Sequence, residues 1–155
     1  MKAVLFVALC CAAYYTQAQA YFSENNVQLW LAEHNTKALS GNVQACDDFA
    51  ERVQVAFEAE HGIMWQVSGG KTEMCRHLLQ STRVLSSQNP QTQIEQVQVE
   101  LMGFPWLGAK VSYIEHLHTQ GKNAPSTETI SRNEVVINRT VTGLKIYSFL
   151  AKSAS

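Results

Sequence analysis

The chain has 155 residues, 46% of them apolar and 16% charged, with 12 basic against 13 acidic side chains and a formal net charge of −1. This composition excludes collagen-like, coiled-coil and disordered acidic chains, and the length suits one domain with a real core but not two. The near-neutral balance leaves no basic footprint for nucleic acid, whose phosphates demand clustered Lys and Arg.

The start of the chain reads as a secretory leader. Met1-Lys2 is a short positive opening, Ala3 to Ala13 is an unbroken apolar run, and Ala18-Gln19-Ala20 is an A-x-A cleavage site. The run is too short for a transmembrane helix, which needs roughly 20 apolar residues. Residues 1–20 are therefore expected to be a signal peptide and residues 21–155 one secreted, extracellular domain. Cleavage removes Lys2 and no acid, so the 12 basic residues become 11 against an unchanged 13 acidic and the net charge moves from −1 to −2. Cys10 and Cys11 leave with the leader, and the remaining pair, Cys46 and Cys75, is expected to form a disulfide in an oxidising compartment. Closing that loop stabilises by about 3 kcal/mol in the chain-entropy model. A bridged pair also argues against cysteine-nucleophile chemistry, which needs a free thiolate.

In the mature chain the first element is helical: Val27, Trp30, Leu31, His34 and Ala38 recur at three and four residues before Ser40-Gly41-Asn42 breaks the run. Cys46, Phe49, Ala50, Val53 and Phe57 share a stripe and predict a second helix ending near His61-Gly62. Ile63 to Val67 reads as a short strand. Lys71 to Leu85 reads as a third helix with Cys75, Leu78, Leu79 and Thr82 on one face. After Asn89-Pro90 the period changes to two, through Val97, Val99 and Leu101, then Val111, Tyr113, Glu115 and Leu117, then Val135, Ile137 and Val141, and finally Lys145 to Ala151. Helices followed by an antiparallel sheet make an α+β fold. Turns are marked at Gly69-Gly70, Gly103 to Gly108 and Gly121 to Pro125.

Asn138-Arg139-Thr140 is a glycosylation sequon, and the strand period places Asn138 on the face opposite Val135 and Ile137. His116-x-His118 has metal-like spacing on a strand but no clear third ligand, so no metal is expected. Tyr113 and Glu115 share the inward strand face, where a carboxylate would have a raised pKa. Trp65, Phe104, Trp106, Tyr113, Tyr147 and Phe149 are candidates for an apolar pocket, led by Trp65, Tyr113, Glu115 and Tyr147. The Met102 to Gly108 segment reads either as an exposed apolar loop tip or as a loop folded over the pocket mouth. No P-loop, GxSxG, HExxH, GxGxxG or EF-hand motif occurs, and no cofactor is expected.

The order of elements resembles the nuclear transport factor 2-like superfamily, in the broad form that includes ketosteroid isomerase-like and SnoaL-like domains. The resemblance rests on the opening helix through Trp30, the Ala38 to Asn42 turn, Phe49 to Phe57, Met64-Trp65-Gln66-Val67-Ser68-Gly69-Gly70 leading into a helix, and the ending Glu134 to Val141, Thr142-Gly143 and Leu144 to Phe149. It implies a strongly curved sheet that forms a cone around the first helix and encloses a pocket. Isomerase-like members keep an acid in the segment matching Met64 to Gly70, where this chain has Met64, Trp65, Gln66 and Ser68, and a tyrosine in the first helix, where it has Trp30. Glutamine does not serve as a proton-abstracting base at neutral pH, so no catalytic residue carries over.

The reading is a secreted, non-catalytic protein holding a small apolar ligand or an extracellular protein partner, with homodimerisation through the outer sheet face compatible with it. The alternatives are an extracellular structural or matrix component, a diverged isomerase or dehydratase using Glu115, and a cystatin-like inhibitor acting through Pro105-Trp106.

Overall fold

The computed structural model describes residues 2–59, 62–120 and 126–153. Helix α1 spans Lys2–Tyr21 and α2 spans Glu24–Leu39, after which a 3-10 turn, Val43–Asp48, leads into strand β1, Phe49–Ala59. Strand β2 (Gly62–Val67), helix α3 (Gly70–Leu85), strands β3 (Gln91–Leu101), β4 (Gly108–Thr119), β5 (Thr127–Thr140) and β6 (Gly143–Ser153) follow. One six-stranded sheet has the order β2-β1-β6-β5-β4-β3. All its pairings are antiparallel except β1 with β6, which run parallel and make the sheet mixed.

The predicted second helix is the largest correction, because the stripe from Cys46 to Phe57 divides into the 3-10 turn and β1. Val53, Val55 and Phe57 also fit a two-residue period, and the β-branched valines suit a strand with partners on both sides. Strand β1 has them in β2 and β6. Its predicted end at His61 lies outside the described residues, as does the turn from Gly121 to Pro125. Val141 is a smaller correction: β5 stops at Thr140 and Val141 stands fully exposed in the turn.

The strand period fixes what fills the cone. Backbone pairing sets Val67, Val55, Phe149, Val135, Val111 and Val99 side by side in one row across all six strands. A second row, Phe49, Ile146, Ile137, Ala109 and Leu101, lies beyond it toward the Gly108 end of β4. Val111, Val135, Ala109 and Ile137 have no solvent exposure, and each buried Val or Ile stabilises the fold by roughly 1.5–3 kcal/mol.

The helices lie over this face. Helix α2 buries Val27, Leu31 and His34. Gln28 Nε2 donates to the Ile94 carbonyl at 3.1 Å, tying α2 to β3, and Thr82 Oγ1 donates to the Ala38 carbonyl at 2.9 Å, tying α3 to α2. Gly70 opens α3 at φ +66° against the Glu51 carbonyl, where a Cβ would collide, so the turn after β2 requires glycine. The Glu73 carboxylate accepts from the backbone amides of Ser68, at 3.1 Å, and Gly69, which caps α3. The Cys46–Cys75 disulfide joins the 3-10 turn to α3 with the two Cα atoms 5.5 Å apart.

Candidate functional site

A third row of the inner face departs from the apolar pattern. Trp65, Phe57, Ala151, Asn133 and Tyr113 are neighbours across β2, β1, β6, β5 and β4. The next row carries Ile94, Glu115, Ser131 and Ser153. Polar groups thus enter the inner face toward the Thr119 end of β4, with aromatics beside them.

The aromatic side of this site is open. Phe57 is 37% exposed, its ring 5.2 Å from that of Trp65 and 5.9 Å from that of Phe149. Trp65 meets the His77 ring of α3 edge-on at 4.7 Å. Edge and offset contacts of this kind hold rings at fixed angles without a flat stack.

The polar side is a hydrogen-bonded network. Asn35 Nδ2 on α2 donates to Glu115 Oε1 at 2.7 Å, and Asn133 Nδ2 on β5 donates to Glu115 Oε2 at 3.0 Å. Burial raises the Glu115 carboxyl above its usual range, opposed by the Asn133 amide and by the charge of His34. Burial, and after it the negative charge of Glu115, pushes the Tyr113 hydroxyl well above its ordinary value. One residue before Asn35, the buried His34 places Nδ1 2.9 Å from Asp48 Oδ2. Asn133 is only 1% exposed and, among the described residues, its side-chain carbonyl oxygen has no hydrogen-bond partner, which costs a buried acceptor about 1–3 kcal/mol.

Of the residues read from the sequence, Trp65, Tyr113 and Glu115 therefore stand on one face and in adjacent rows. Tyr147 does not join them. Strand β6 bulges so that Ile146 and Ser148 pair with consecutive residues of β5, which leaves Tyr147 41% exposed in a shallow groove of about 490 Å³ with Phe49, Thr140 and Lys145. The larger groove, about 840 Å³, runs beside β1 past Gln54, Ala56, Gln66 and Ser148 and is open to solvent. Phe104 is 75% exposed, and Trp106 packs on Tyr14 and Tyr15 of α1 at 6.2 and 4.9 Å between ring centres. That loop follows Leu101 and precedes Gly108, at the end of the sheet away from Glu115, so it does not roof the polar site.

Three members of the site escaped sequence reading. Asn133 was within reach, because running the period of Val135 and Ile137 back by two places it inward. Phe57 was concealed by the helical assignment of its segment. Asn35 carries no periodic signal, since it faces Glu115 only through the packing of α2 on the sheet.

No protein-family description and no curated protein sequence matches the chain. Solved structures do. An NTF2-like protein with a cystatin-like fold from Novosphingobium aromaticivorans superposes with a TM-score of 0.71 at 12% identity, covering 91% of this chain and 88% of that one. A protein assigned as a scytalone dehydratase from the same organism gives 0.74 at 8% identity, covering 90% and 89%. The beta subunit of benzoate 1,2-dioxygenase from Burkholderia mallei gives 0.70 at 10% identity, covering 84% and 89%. At such identities the likeness is one of architecture, and the three helices on a curved six-stranded sheet have the nuclear transport factor 2-like fold.

Proposed function

We propose that the chain is a secreted, non-catalytic binding protein that holds a small, largely apolar ligand bearing a hydroxyl or amine at the open end of its sheet. The observation that carries this reading is the carbonyl oxygen of Asn133, buried without a hydrogen-bond partner among the described residues and in the same row as the partly exposed Phe57 and Trp65. A ligand donor there removes the cost of the orphaned acceptor, and the half-open aromatics supply the apolar wall. Non-catalysis is supported by the engagement of the buried acid: both Glu115 oxygens accept from amides.

The secreted form begins at Tyr21 after loss of residues 1–20. The new terminus stays anchored, because Phe22 is buried and the Arg139 guanidinium lies 4.5 Å over the Tyr21 ring. The Cys46–Cys75 bridge suits an oxidising compartment, and among the described residues no helix is long and apolar enough to cross a membrane. Asn138 is the glycan acceptor. It is half-buried opposite Gly108, where a Cβ would collide with its carbonyl oxygen.

Titration with Nile red tests the binding reading. Saturable fluorescence enhancement by the mature protein, lost in both Phe57→Lys and Trp65→Lys, is the expected result. Enhancement unchanged in both variants removes the reading. A second reading, a dehydratase-like enzyme using Glu115, draws on the raised Glu115 carboxyl and the His34–Asp48 pair. It also draws on similarity to the structure assigned as a scytalone dehydratase.

A further inference from the structure

Glu115 is a carboxylate held by neutral groups. Its oxygens accept from the amides of Asn35 and Asn133, and among the described residues no Lys or Arg forms an ion pair with it. The charges nearest to it on α2 are already engaged: His34 Nδ1 lies on Asp48, and Lys37 stands 2.8 Å from Glu33 and 3.8 Å from Asp48. Across the sheet its neighbours are Ile94 of β3 and Ser131 of β5, and two residues back along β4 stands the buried Tyr113. A partly desolvated negative charge balanced by dipoles alone is best complemented by a cation.

The geometry adds a second acceptor at the same point. A carboxylate has about four lone-pair positions, of which the two amides fill two. Beside them is the Asn133 carbonyl oxygen, without a hydrogen-bond partner among the described residues. The nitrogen and oxygen of one amide are about 2.2 Å apart, so this oxygen lies within about 5.2 Å of Glu115 Oε2. Two N–H···O bonds of about 2.8 Å each reach across that gap from a single nitrogen. A hydroxyl brings one donor and no charge, whereas an ammonium brings three donors and a positive charge.

The apolar wall lies two strands away. Strands are about 4.8 Å apart, so the backbones of Phe57 and Asn133 are separated by about 10 Å, with the small Ala151 between them in the row. Glu115 and Asn35 are half-buried and Phe57 is exposed, which leaves the strip approachable from solvent. Resting on the binding reading above, we propose that the ligand is a small primary amine, held as its ammonium ion by Glu115 and the Asn133 carbonyl oxygen with its apolar body toward Phe57 and Trp65.

Displacement of Nile red from the mature protein by 2-phenylethylamine and by its uncharged counterpart 2-phenylethanol, at pH 8, tests the proposal. The amine is expected to act at a concentration roughly tenfold or more below that of the alcohol. The preference is expected to vanish in Glu115→Gln and to persist in Glu134→Gln, whose wild-type carboxylate pairs with Lys110 on the outer face. A second arm needs no variant: protonation of Glu115 competes with the ammonium, so the amine loses its advantage as pH falls through the raised carboxyl range while the alcohol stays level. Equal potency of the two compounds on a protein that binds the dye overturns the amine and leaves the binding reading standing. A preference retained in Glu115→Gln, or unchanged across the acidic range, overturns it as well. Absence of both dye binding and calorimetric heat with the amine removes the amine and the binding reading together.

Discussion

The two ends of the inner sheet face are built by the same rule and do different things. At the Gly108 end of β4 the inward positions are Ala109, Val111, Val135, Ile137 and Ile146, all buried in one cluster with Val27 and Leu31 of α2. Two residues further along the same strands, the inward positions become Tyr113, Asn133 and Glu115, and the aromatics beside them are partly open. Strand alternation decides only which side a residue faces. Whether that side is a core or a site depends on what stands across the row. The apolar end supplies stability, while the polar end carries an unsatisfied acceptor and a carboxyl of raised pKa that a pure core would replace with hydrocarbon.

The contrast can be broken at either end. The largest effect is expected at the closed end, where Ile137→Ala leaves a cavity and costs about 2–5 kcal/mol in urea unfolding without changing Nile red affinity in the folded protein. Replacing Cys46 and Cys75 together by Ser lowers stability by about 3 kcal/mol in the same measurement, with the site intact. At the open end Asn133→Leu removes the donor to Glu115 Oε2 and costs about 1–3 kcal/mol, but abolishes ligand retention. An Asn133→Leu protein that unfolds as readily as Ile137→Ala yet still holds its ligand would erase the distinction between the ends.

The smallest effect is on pH dependence. Glu115 has a folded pKa above its unfolded value, so the folded state holds the proton more tightly. Stability from this group therefore falls as pH rises from the ordinary carboxylate value through the raised one, and is level above it. Glu115→Gln is expected to flatten that part of a melting-temperature profile, measured by calorimetry across the acidic range. Identical slopes in the two proteins would mean that Glu115 is not held in a desolvated site.

Much of this architecture was legible because it rests on periodicity. The long runs of β4 and β5 alternate so clearly that Val111, Tyr113, Glu115, Val135 and Ile137 could be placed inward from the sequence, and α2 and α3 follow from their three- and four-residue spacing. The segment from Cys46 to Phe57 was ambiguous because its apolar residues satisfy both periods over a short stretch, and only the parallel pairing with β6 settles it as a strand. The candidate site was legible where it consists of strand residues facing one way, as with the shared face of Trp65, Tyr113 and Glu115. It was illegible where tertiary contact makes it, as when Asn35 reaches Glu115 across 80 residues, and where a bulge interrupts the count, as at Tyr147.

Native mass spectrometry of the protein collected from the medium of secreting eukaryotic cells tests the account most directly. The expected result is a species that starts at Tyr21 and carries sugar at Asn138 and a non-covalent small molecule, the last absent from folded Asn133→Leu. A wild-type protein recovered at the bare mass of its glycosylated chain, with no molecule released on denaturation and no Nile red bound, would contradict it.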